Sequence, residues 1–393
     1  MTNTTHRFFA PCPRGLESVL DQELAQLGAL DIQQTNGGIS FTGPFSLCYR
    51  VNLESRIASR VLWQIARAPY HTEADIYKTA FALPWSEWFD VDRTIMVKVS
   101  AQRCPLPSLD FATLRIKDAV CDKFRAQNDD KRPSIDTVEP DIRIHAFLDA
   151  EHFTLYMDTS GQALFKRGLR KAAGEAPLRE NLAAGILKLS GWEPGMTLLD
   201  PMCGSGTFLM EAAQIALQIS PGLGRHFAFE KLKNFDAAAW AILRQESEER
   251  QLPRTPQAIY GSDLFGEMLK LAQENIDAAG LSDVIQLKQA NVIEITPPTK
   301  EGVLVTNPPY GIRLDEQDRL AEFYPKLGDA LKKKFSGWRA YLFTADLRLP
   351  KLIHLATSRR TPLFNGALEC RLFEYKMVEG GNRKEKPGAA EES

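Results

Sequence analysis

Two patterns of apolar and polar residues follow one another along the chain, and the change between them falls near Pro177. Before it, apolar residues recur at helical spacing in residues 15–27, whereas residues 141–148 and 152–157 alternate with period two around a polar turn. These segments predict a helix and a β-hairpin. After it, strand patterns alternate with helix patterns, which is typical of a parallel sheet with crossover helices. We therefore expect an α+β region followed by an α/β domain.

The N-terminal region is predicted to contain further short elements. These are strands at 7–10, 39–41 and 94–100 and helices at 53–66 and 114–124. The helix at 53–66 is predicted from the helical spacing of its apolar residues Ile57, Val61, Leu62 and Ile65. Trp85 and Trp88 lie three residues apart, as expected of a helical turn that anchors a core.

The C-terminal pattern predicts six strands and three helices. The strands are expected at 196–199, 258–261, 284–289, 302–306, 339–344 and 371–377, and the helices at 206–217, 267–279 and 324–335. The strand GVLVT at 302–306 is apolar throughout, which indicates a central position in the sheet. The tail from Glu379 has few apolar residues to bury, so we expect it to be disordered.

Composition narrows the class of protein. The net charge of -2 excludes a polycation, so any nucleic-acid binding has to come from a local basic surface. The six cysteines lack metal-ligand spacing, and we expect reduced thiols and no metal site. The sequence shows neither a signal-peptide pattern nor an apolar run long enough to span a membrane, so we expect a cytoplasmic protein.

The first candidate site is the glycine-rich turn LLDPMCGSGT at 198–207, directly before a predicted helix. A strand that ends in Asp200 and turns through Gly204 and Gly206 forms a pocket at the carboxyl edge of a parallel sheet. The glycine spacing matches neither a dinucleotide fingerprint nor a P-loop. Asp200 favours a ligand that carries an amino group, and a purely structural turn is the alternative interpretation.

The second candidate is Asp263, at the end of the next predicted strand. A carboxylate in this position can accept hydrogen bonds from both ribose hydroxyls of a nucleoside. Taken alone, Asp263 is equally consistent with an N-cap of the following helix. Its order in the chain, one strand after Asp200, favours the nucleoside interpretation.

The third candidate is Asn307-Pro308-Pro309-Tyr310, which follows the apolar strand. The two prolines remove backbone donors and fix the direction of Asn307. The carbonyls of Asn307 and Pro308 are two acceptors that suit an amino group and would turn its lone pair toward a methyl donor. Tyr310 offers a flat face on which an extruded base can stack. A rigid surface turn is the structural alternative.

In this order and spacing, the three candidates resemble motifs I, II and IV of class I methyltransferases that act on amino nitrogens. The segment FKRGLRKAAGEAPLRENLAA at 165–184 resembles the stretch that joins a THUMP domain to the catalytic domain in bacterial RNA guanine-N2 methyltransferases. The RlmL type, which acts on 23S ribosomal RNA, is the most similar, and the resemblance covers about 7–377. It implies a Rossmann-like class I methyltransferase domain, a mostly parallel sheet with helices on both faces, after an α+β ferredoxin-like and THUMP region.

The resemblance also implies domain bounds and site residues. The domains are a ferredoxin-like region at 1–70, a THUMP domain at 71–160, a basic connector at 161–180, a methyltransferase domain at 181–378 and a disordered tail at 379–393. The cofactor is S-adenosyl-L-methionine, which leaves as S-adenosyl-L-homocysteine, and the implied cofactor-binding residues are Asp200, Pro201, Cys203, Gly204, Ser205, Gly206, Thr207, Asp263 and Asn291. The implied catalytic residues are Asn307, Pro308, Pro309 and Tyr310. The partner is RNA, and its implied contacts in the connector are Lys166, Arg167, Arg170 and Lys171, for which a solvated charged face is the alternative.

Two departures and several alternatives bear on these expectations. Leu169 replaces a usual Tyr, and Gln289-Ala290-Asn291 stands where Gly-Asp-Ala is usual, so Asn291 is an adenine contact by position only. Some RlmL proteins carry a second methyltransferase, and here we expect the single-activity form. The motif IV loop has no cysteine nucleophile, which excludes carbon-5 pyrimidine methylation. The THUMP-like front end argues against a DNA adenine-N6 enzyme. A tRNA guanine-N2 enzyme and a non-catalytic THUMP RNA-binding protein stay as alternatives.

Overall fold

The computed structural model describes residues 4–168, 178–308 and 314–378, without the side chains of 314–319. Several predicted features lie outside the described residues, namely Leu169, Arg170, Lys171, Pro309, Tyr310 and the tail at 379–393. The chain forms two compact units, Met1–Arg167 with Ile219–Gln251, and Gly168–Gln218 with Leu252–Ser393. Among the described residues, no helix combines the length and the apolarity that are needed to cross a bilayer.

The described residues form two sheets and the helices that accompany them. The strands are β1 (His6–Pro11), β2 (Leu30–Thr35), β3 (Gly38–Gly43), β4 (Leu62–Pro69), β5 (Ile95–Ala101), β6 (Ile142–Leu148), β7 (His152–Asp158), β8 (Leu198–Asp200), β9 (Ile259–Asp263), β10 (Ile285–Gln289), β11 (Gly302–Thr306), β12 (Trp338–Thr344), β13 (Arg359–Asn365) and β14 (Leu368–Lys376). The helices are α1 (Glu17–Gln26), α2 (Leu47–Glu54), α3 (Glu73–Ala82), α4 (Trp85–Trp88), α5 (Leu109–Gln127), α6 (Glu180–Leu189), α7 (Thr207–Ala216), α8 (Ala237–Glu249), α9 (Gly266–Ala278), α10 (Leu314–Lys334) and α11 (Leu349–Leu352), with a short 3-10 helix at Ala228–Lys231.

The first unit is built on a sheet with the order β2-β3-β1-β4-β7-β6-β5. Its strands pair antiparallel except β5 and β6, which are parallel. The predicted hairpin is confirmed as β6 and β7, and the predicted tryptophan turn as α4. Trp85 is fully buried there and donates its indole N–H to the Ala80 carbonyl at 2.7 Å.

The predicted helix at 53–66 is wrong, because the chain leaves helix α2 at Glu54 and forms strand β4 from Leu62. The half-buried Glu23 stops the helix, because its carboxylate accepts hydrogen bonds from the Ser55 hydroxyl and from the amides of Arg56 and Ile57. The next apolar residues then enter the sheet, where β4 pairs with β1 and β7. Pairing with distant strands has overridden the local helical spacing.

The segment Ile219–Gln251 belongs to the first unit, although it lies inside the stretch predicted as the methyltransferase domain. An aromatic cluster holds it there: the ring centroids of Tyr49 and Phe229 are 4.5 Å apart, and those of Phe229 and Trp240 are 5.1 Å apart. An ion pair adds to this packing, since Lys231 Nζ lies 2.6 Å from Asp141 Oδ1. The sequence did not predict this arrangement, and the predicted domain bounds stay a prediction.

The second unit is built on a sheet with the order β10-β9-β8-β11-β12-β14-β13. The first five strands of this order are parallel to one another, and β14 pairs antiparallel with both β12 and β13. The mixed α/β fold with a mostly parallel sheet is therefore confirmed. β11 is a central strand as predicted, and apolar side chains such as Leu304, Tyr324 and Trp338 form the core beside it. The sequence patterns did not predict the strands β2, β4 and β13, the helices α2, α3, α6, α8 and α11, or the 3-10 helix at Ala228–Lys231.

The strand order of the second sheet reverses direction between β8 and β11. From β8 the chain first builds outward to β9 and β10, and it then returns to place β11 on the other side of β8. The crossover connections of β8 and β11 therefore leave in opposite directions, which opens a crevice beyond their carboxyl ends. Ligands of open parallel sheets bind at such a point.

Candidate active site

Residues from each of the three predicted motifs lie at this carboxyl edge. Asp200 ends β8 and Asp263 ends β9, while Thr306 ends β11 and is followed at once by Asn307. The register places Asp200 opposite Gly261 and pairs Leu304 with Leu199. The structure thus brings the first and third motifs onto adjacent strands and the second motif onto the next one.

Asp200 is a buried carboxylate with two described hydrogen-bond donors. Its Oδ1 atom accepts from Thr306 Oγ1 at 2.7 Å and from the Met202 amide at 3.2 Å. Burial raises the pKa of Asp200 to about 7, the Asp263 carboxylate adds to the rise, and the two hydrogen bonds oppose it. Among the described residues, none of the groups that act on this pKa is a cation. A ligand with a positively charged amino group would supply the missing counter-charge.

Asp263 links the glycine-rich turn to the start of α9. Its Oδ2 atom accepts a hydrogen bond from the Gly204 amide and its Oδ1 atom one from the Phe265 amide, both at 3.0 Å. The N-cap residue of α9 is Phe265, so Asp263 does not occupy the N-cap position considered from the sequence. The carboxylate is 7% exposed, and it lies beside the turn that would hold the ligand.

The glycine-rich turn is fixed by backbone conformation and by a neighbouring helix. Gly204 and Gly206 have φ angles of +51° and +82°, which residues with a Cβ rarely adopt. Gly206 is the N-cap of α7, and Thr207 is its first residue. The buried Asn275 on α9 donates its side-chain amide to the Ser205 carbonyl at 3.2 Å. Sequence reasoning missed Asn275, whose polarity among the apolar positions of α9 was the available signal.

Two other residues of the turn, Pro201 and Cys203, connect it to strand β9 by hydrogen bonds. The Cys203 amide donates to the Ser262 carbonyl at 2.8 Å, and the Ser262 hydroxyl donates to the Pro201 carbonyl at 3.3 Å. Burial raises the pKa of the Cys203 thiol well above its usual range, and the Asp200 and Asp263 carboxylates add to this rise. Cys203 is therefore a neutral thiol, which is not the form a nucleophile requires.

The third motif is described only in part. Thr306 is almost fully buried, Asn307 is half-buried and Pro308 is buried. Pro309 and Tyr310 lie outside the described residues, so their roles stay predictions. Thr306 is the second residue that sequence reasoning missed, because a hydroxyl at the end of an apolar strand gives no sign of the carboxylate that it will meet.

Two further predictions concern Asn291 and the basic connector. Asn291 lies after β10, and its Oδ1 atom accepts a hydrogen bond from the Ile293 amide at 3.1 Å. One of its acceptor positions is therefore occupied by a neighbouring backbone group, and its contact with adenine stays a prediction.

In the basic connector, Lys166 is exposed, whereas Arg167 is buried and donates to the carbonyls of Leu164 and Arg56. A buried guanidinium on backbone carbonyls stabilises the local fold, and the role of Arg167 as an RNA contact stays a prediction. Among the described residues, no group of three or more His, Cys, Asp or Glu side chains could hold a metal ion.

Comparison with known proteins decides the family. The model of the RMKL-like methyltransferase domain matches residues 167–374, that of the RlmL ferredoxin-like domain matches 7–62, and that of the THUMP domain matches 70–158. The chain belongs to the RMKL-like methyltransferase family. The resemblance drawn from the sequence is thereby confirmed, and so is the order of ferredoxin-like, THUMP and methyltransferase folds.

Curated relatives of this RMKL-like methyltransferase are similar over nearly its whole length. A ribosomal RNA large subunit methyltransferase K/L from Shewanella sp. strain ANA-3 is 39% identical over 97% of this chain and 54% of its own length. The chain thus spans about half the length of that relative. A protein from Synechocystis named as a candidate RNA methyltransferase is 37% identical over 95% of this chain and 97% of its own length.

Solved structures share the fold of the RMKL-like chain. A candidate methyltransferase crystallised with SAH has a TM-score of 0.87 at 30% identity and covers 96% of this chain and 99% of its own. A protein from Listeria monocytogenes, titled a predicted N6-adenine-specific DNA methylase, has a TM-score of 0.86 at 29% identity and covers 95% of this chain and 96% of its own. TrmN from Thermus thermophilus has a TM-score of 0.71 at 21% identity over 95% of this chain and 100% of its own, which shows the fold alone.

Proposed function

We propose that this protein transfers a methyl group from S-adenosyl-L-methionine to the exocyclic N2 of a guanine in RNA, with 23S ribosomal RNA as the first target to test. The observation that carries the proposal is the hydrogen bond from Thr306, the residue before Asn307, to Asp200 on the neighbouring strand, which connects the proposed cofactor motif with the Asn307 motif. Membership of the RMKL-like family and the name of the Shewanella relative support the same chemistry.

The residues present fit S-adenosylmethionine. Asp200 is buried, and no cation acts on its pKa from the part of the chain that the structure describes, so it suits the ammonium group of an amino acid. Asp263 suits the ribose hydroxyls. Gly204 and Gly206 adopt positive φ angles and carry no Cβ, so the backbone at these two positions can approach the ligand closely. When bound, S-adenosylmethionine supplies a methyl group on a sulfonium centre, which is an electrophile.

This chain's own residues would prepare the amine. Asn307 and the Pro308 carbonyl each offer an acceptor, and two acceptors on one -NH2 group turn its lone pair out of the ring plane. Tyr310 would stack on the base, a contact worth about 1–3 kcal/mol for an aromatic side chain. Lys166 is an exposed cation of the connector and is proposed to contact phosphate; such contacts set the position of the RNA and carry no sequence information.

The test is a comparison of modified nucleosides in ribosomal and transfer RNA from a strain that lacks the gene. We expect N2-methylguanosine to be lost from large-subunit RNA, restored by the wild-type gene and not by the Asn307→Ala gene. A loss confined to tRNA would move the target to tRNA and keep the chemistry. A lost C5-methyl pyrimidine or 2′-O-methyl nucleoside would overturn the proposal, because neither target presents an -NH2 group for Asn307 to orient.

Calorimetry with S-adenosylmethionine tests the alternative from a different class, a non-catalytic RNA-binding protein. Saturable binding that is weakened in the Asp263→Ala variant favours the enzyme. An intact, folded wild-type protein without any binding would favour the non-catalytic alternative.

A further inference from the structure

Thr306 is the last residue of β11, and its side chain and backbone have different partners. The backbone pairs with β12, where Thr306 lies opposite Leu342. The hydroxyl instead reaches the strand on the other side and donates to the Asp200 carboxylate at 2.7 Å. Thr306 is 1% exposed and Asp200 is 2% exposed, so this hydrogen bond is shielded from water.

The next residue along the chain is Asn307, which the proposed function places on the amine. The side chain of Thr306 thus contacts the carboxylate of the donor site, and its backbone is bonded directly to Asn307, which is proposed to orient the amine. Because methyl transfer requires the two reacting atoms to be aligned, a fixed distance between these two sites has direct value for the rate.

We propose that Thr306 is a positioning residue, which fixes the distance between the donor site and the amine site through its hydrogen bond to Asp200. The inference rests on the proposed function, since it takes Asp200 as the contact for the ammonium group and Asn307 as the contact for the amine. Thr306 itself touches neither substrate.

The same hydrogen bond affects the charge of Asp200. Among the described residues, the titratable groups that face Asp200 are the Asp263 carboxylate and the Cys203 thiol, and Asp263 raises the pKa of Asp200. The donors that oppose this rise are the Thr306 hydroxyl and the Met202 amide. Removal of the hydroxyl therefore raises the pKa of Asp200 further, and the carboxylate becomes protonated at a higher pH.

The experiment compares Thr306→Val, which has nearly the same shape without the hydroxyl, with Thr306→Ser, which keeps the hydroxyl. Thr361→Val, on β13 of the same sheet, is the matched control. The full-length protein is used throughout. Binding of S-adenosylmethionine is measured by calorimetry from pH 5.5 to 8.5, and kcat and KM for RNA are measured with the cofactor saturating.

For Thr306→Val we expect the acid limb of the binding profile to move to higher pH, with affinity below it falling about tenfold for each unit by which the pKa rises. We also expect kcat to fall by roughly tenfold or more with little change in KM for RNA, because a misplacement of about 1 Å costs up to about a hundredfold in rate. Thr306→Ser should restore both the profile and kcat, and Thr361→Val should change neither.

A folded Thr306→Val variant with the wild-type binding profile and the wild-type kcat would overturn the inference. If Thr306→Val does not fold, Thr306→Ser and Thr306→Cys provide the comparison, since a thiol is a much weaker donor than a hydroxyl. Equal profiles for these two variants would also overturn it. Failure of the proposed function is a different result, in which the wild-type protein binds no S-adenosylmethionine or methylates no amine.

Discussion

The Gly204 amide donates a hydrogen bond of 3.0 Å to the Asp263 carboxylate, and this bond ties the glycine-rich turn after β8 to the end of β9. Both residues come from motifs that the sequence placed on successive strands. The carboxylate therefore supports the turn and also lies where a nucleoside ribose is expected, so the two roles can be separated by substitution.

Asp263→Ala is expected to weaken the binding of S-adenosylmethionine by about 1–3 kcal/mol, the usual loss when hydrogen bonds to a charged acceptor are removed. Asp263→Asn keeps an acceptor for the Gly204 amide, so it should lose less. Calorimetry on folded variants measures both, with the exposed Asp277→Ala on α9 as control. Wild-type affinity in the Ala variant would assign Asp263 to the turn alone.

Asn307→Ala is expected to lower kcat by roughly 10²–10³, which is typical for the removal of one preorganised polar contact. The KM for RNA and the affinity for the cofactor should change little, because the contact acts mainly at the moment of transfer. Steady-state kinetics on purified RNA measure this, with Asn365→Ala on β13 as control. An unchanged kcat would remove Asn307 from the chemistry.

Binding of S-adenosylmethionine is expected to release a proton near neutral pH. The pKa of Asp200 is raised to about 7, so much of the free protein carries the protonated acid there, whereas an ammonium ligand selects the carboxylate. Affinity should rise as the pH rises through 7, and it should fall again above about 8, where an α-amino group loses its own proton. Calorimetry in buffers with different ionisation enthalpies measures the released proton. Heats that do not depend on the buffer at pH 6.5 would contradict this assignment of Asp200.

Removal of residues 1–167 is expected to make the remaining chain insoluble. The segment Ile219–Gln251 would lose the unit on which it packs and expose apolar side chains such as Phe229 and Trp240, which are buried in the whole protein. The Leu252 amide donates to the Leu217 carbonyl at 3.0 Å, so the two ends of this segment are close together. A truncated variant that also joins Gln218 to Leu252 by a short Gly-Ser linker should be soluble.

Size-exclusion chromatography and calorimetry with S-adenosylmethionine compare the two truncated variants. Equal solubility of both would show that the segment does not need the N-terminal residues. The variant with the linker should bind the cofactor, because Asp200, Gly204 and Asp263 all lie in the retained unit.

The sequence predicted the second unit better than the first. Its parallel strands lie between helices along the chain, and β8, β9 and β11 each end in a motif. The sequence therefore predicted that Asp200, Asp263 and Asn307 follow the carboxyl ends of strands in one parallel sheet. Strand β13 was missed because its exposed pattern of charged residues in RRTPLFN is not that of a buried strand. An edge strand has fewer buried positions, and periodicity is correspondingly weak.

In the first unit, contacts between residues far apart in the sequence determine secondary structure that the local pattern does not predict. Residues 53–66 have helical spacing, yet Glu23 ends the helix and the sheet takes Leu62 onward. The same limit applies within the site, because the sequence gives no sign that Thr306 meets Asp200 or that Asn275 holds the Ser205 carbonyl. Such contacts depend on side chains that are far apart along the chain.

The first unit is composed of two separate stretches of chain, and this has a consequence for inheritance. A recombination event that exchanges only Met1–Arg167 with a relative would pair a foreign surface with the resident Ile219–Gln251. Tyr49 from one parent would then have to accommodate Phe229 from another. Functional hybrids between relatives should therefore carry both stretches from the same parent. The two stretches are expected to evolve together, even though the gene separates them by part of the second unit.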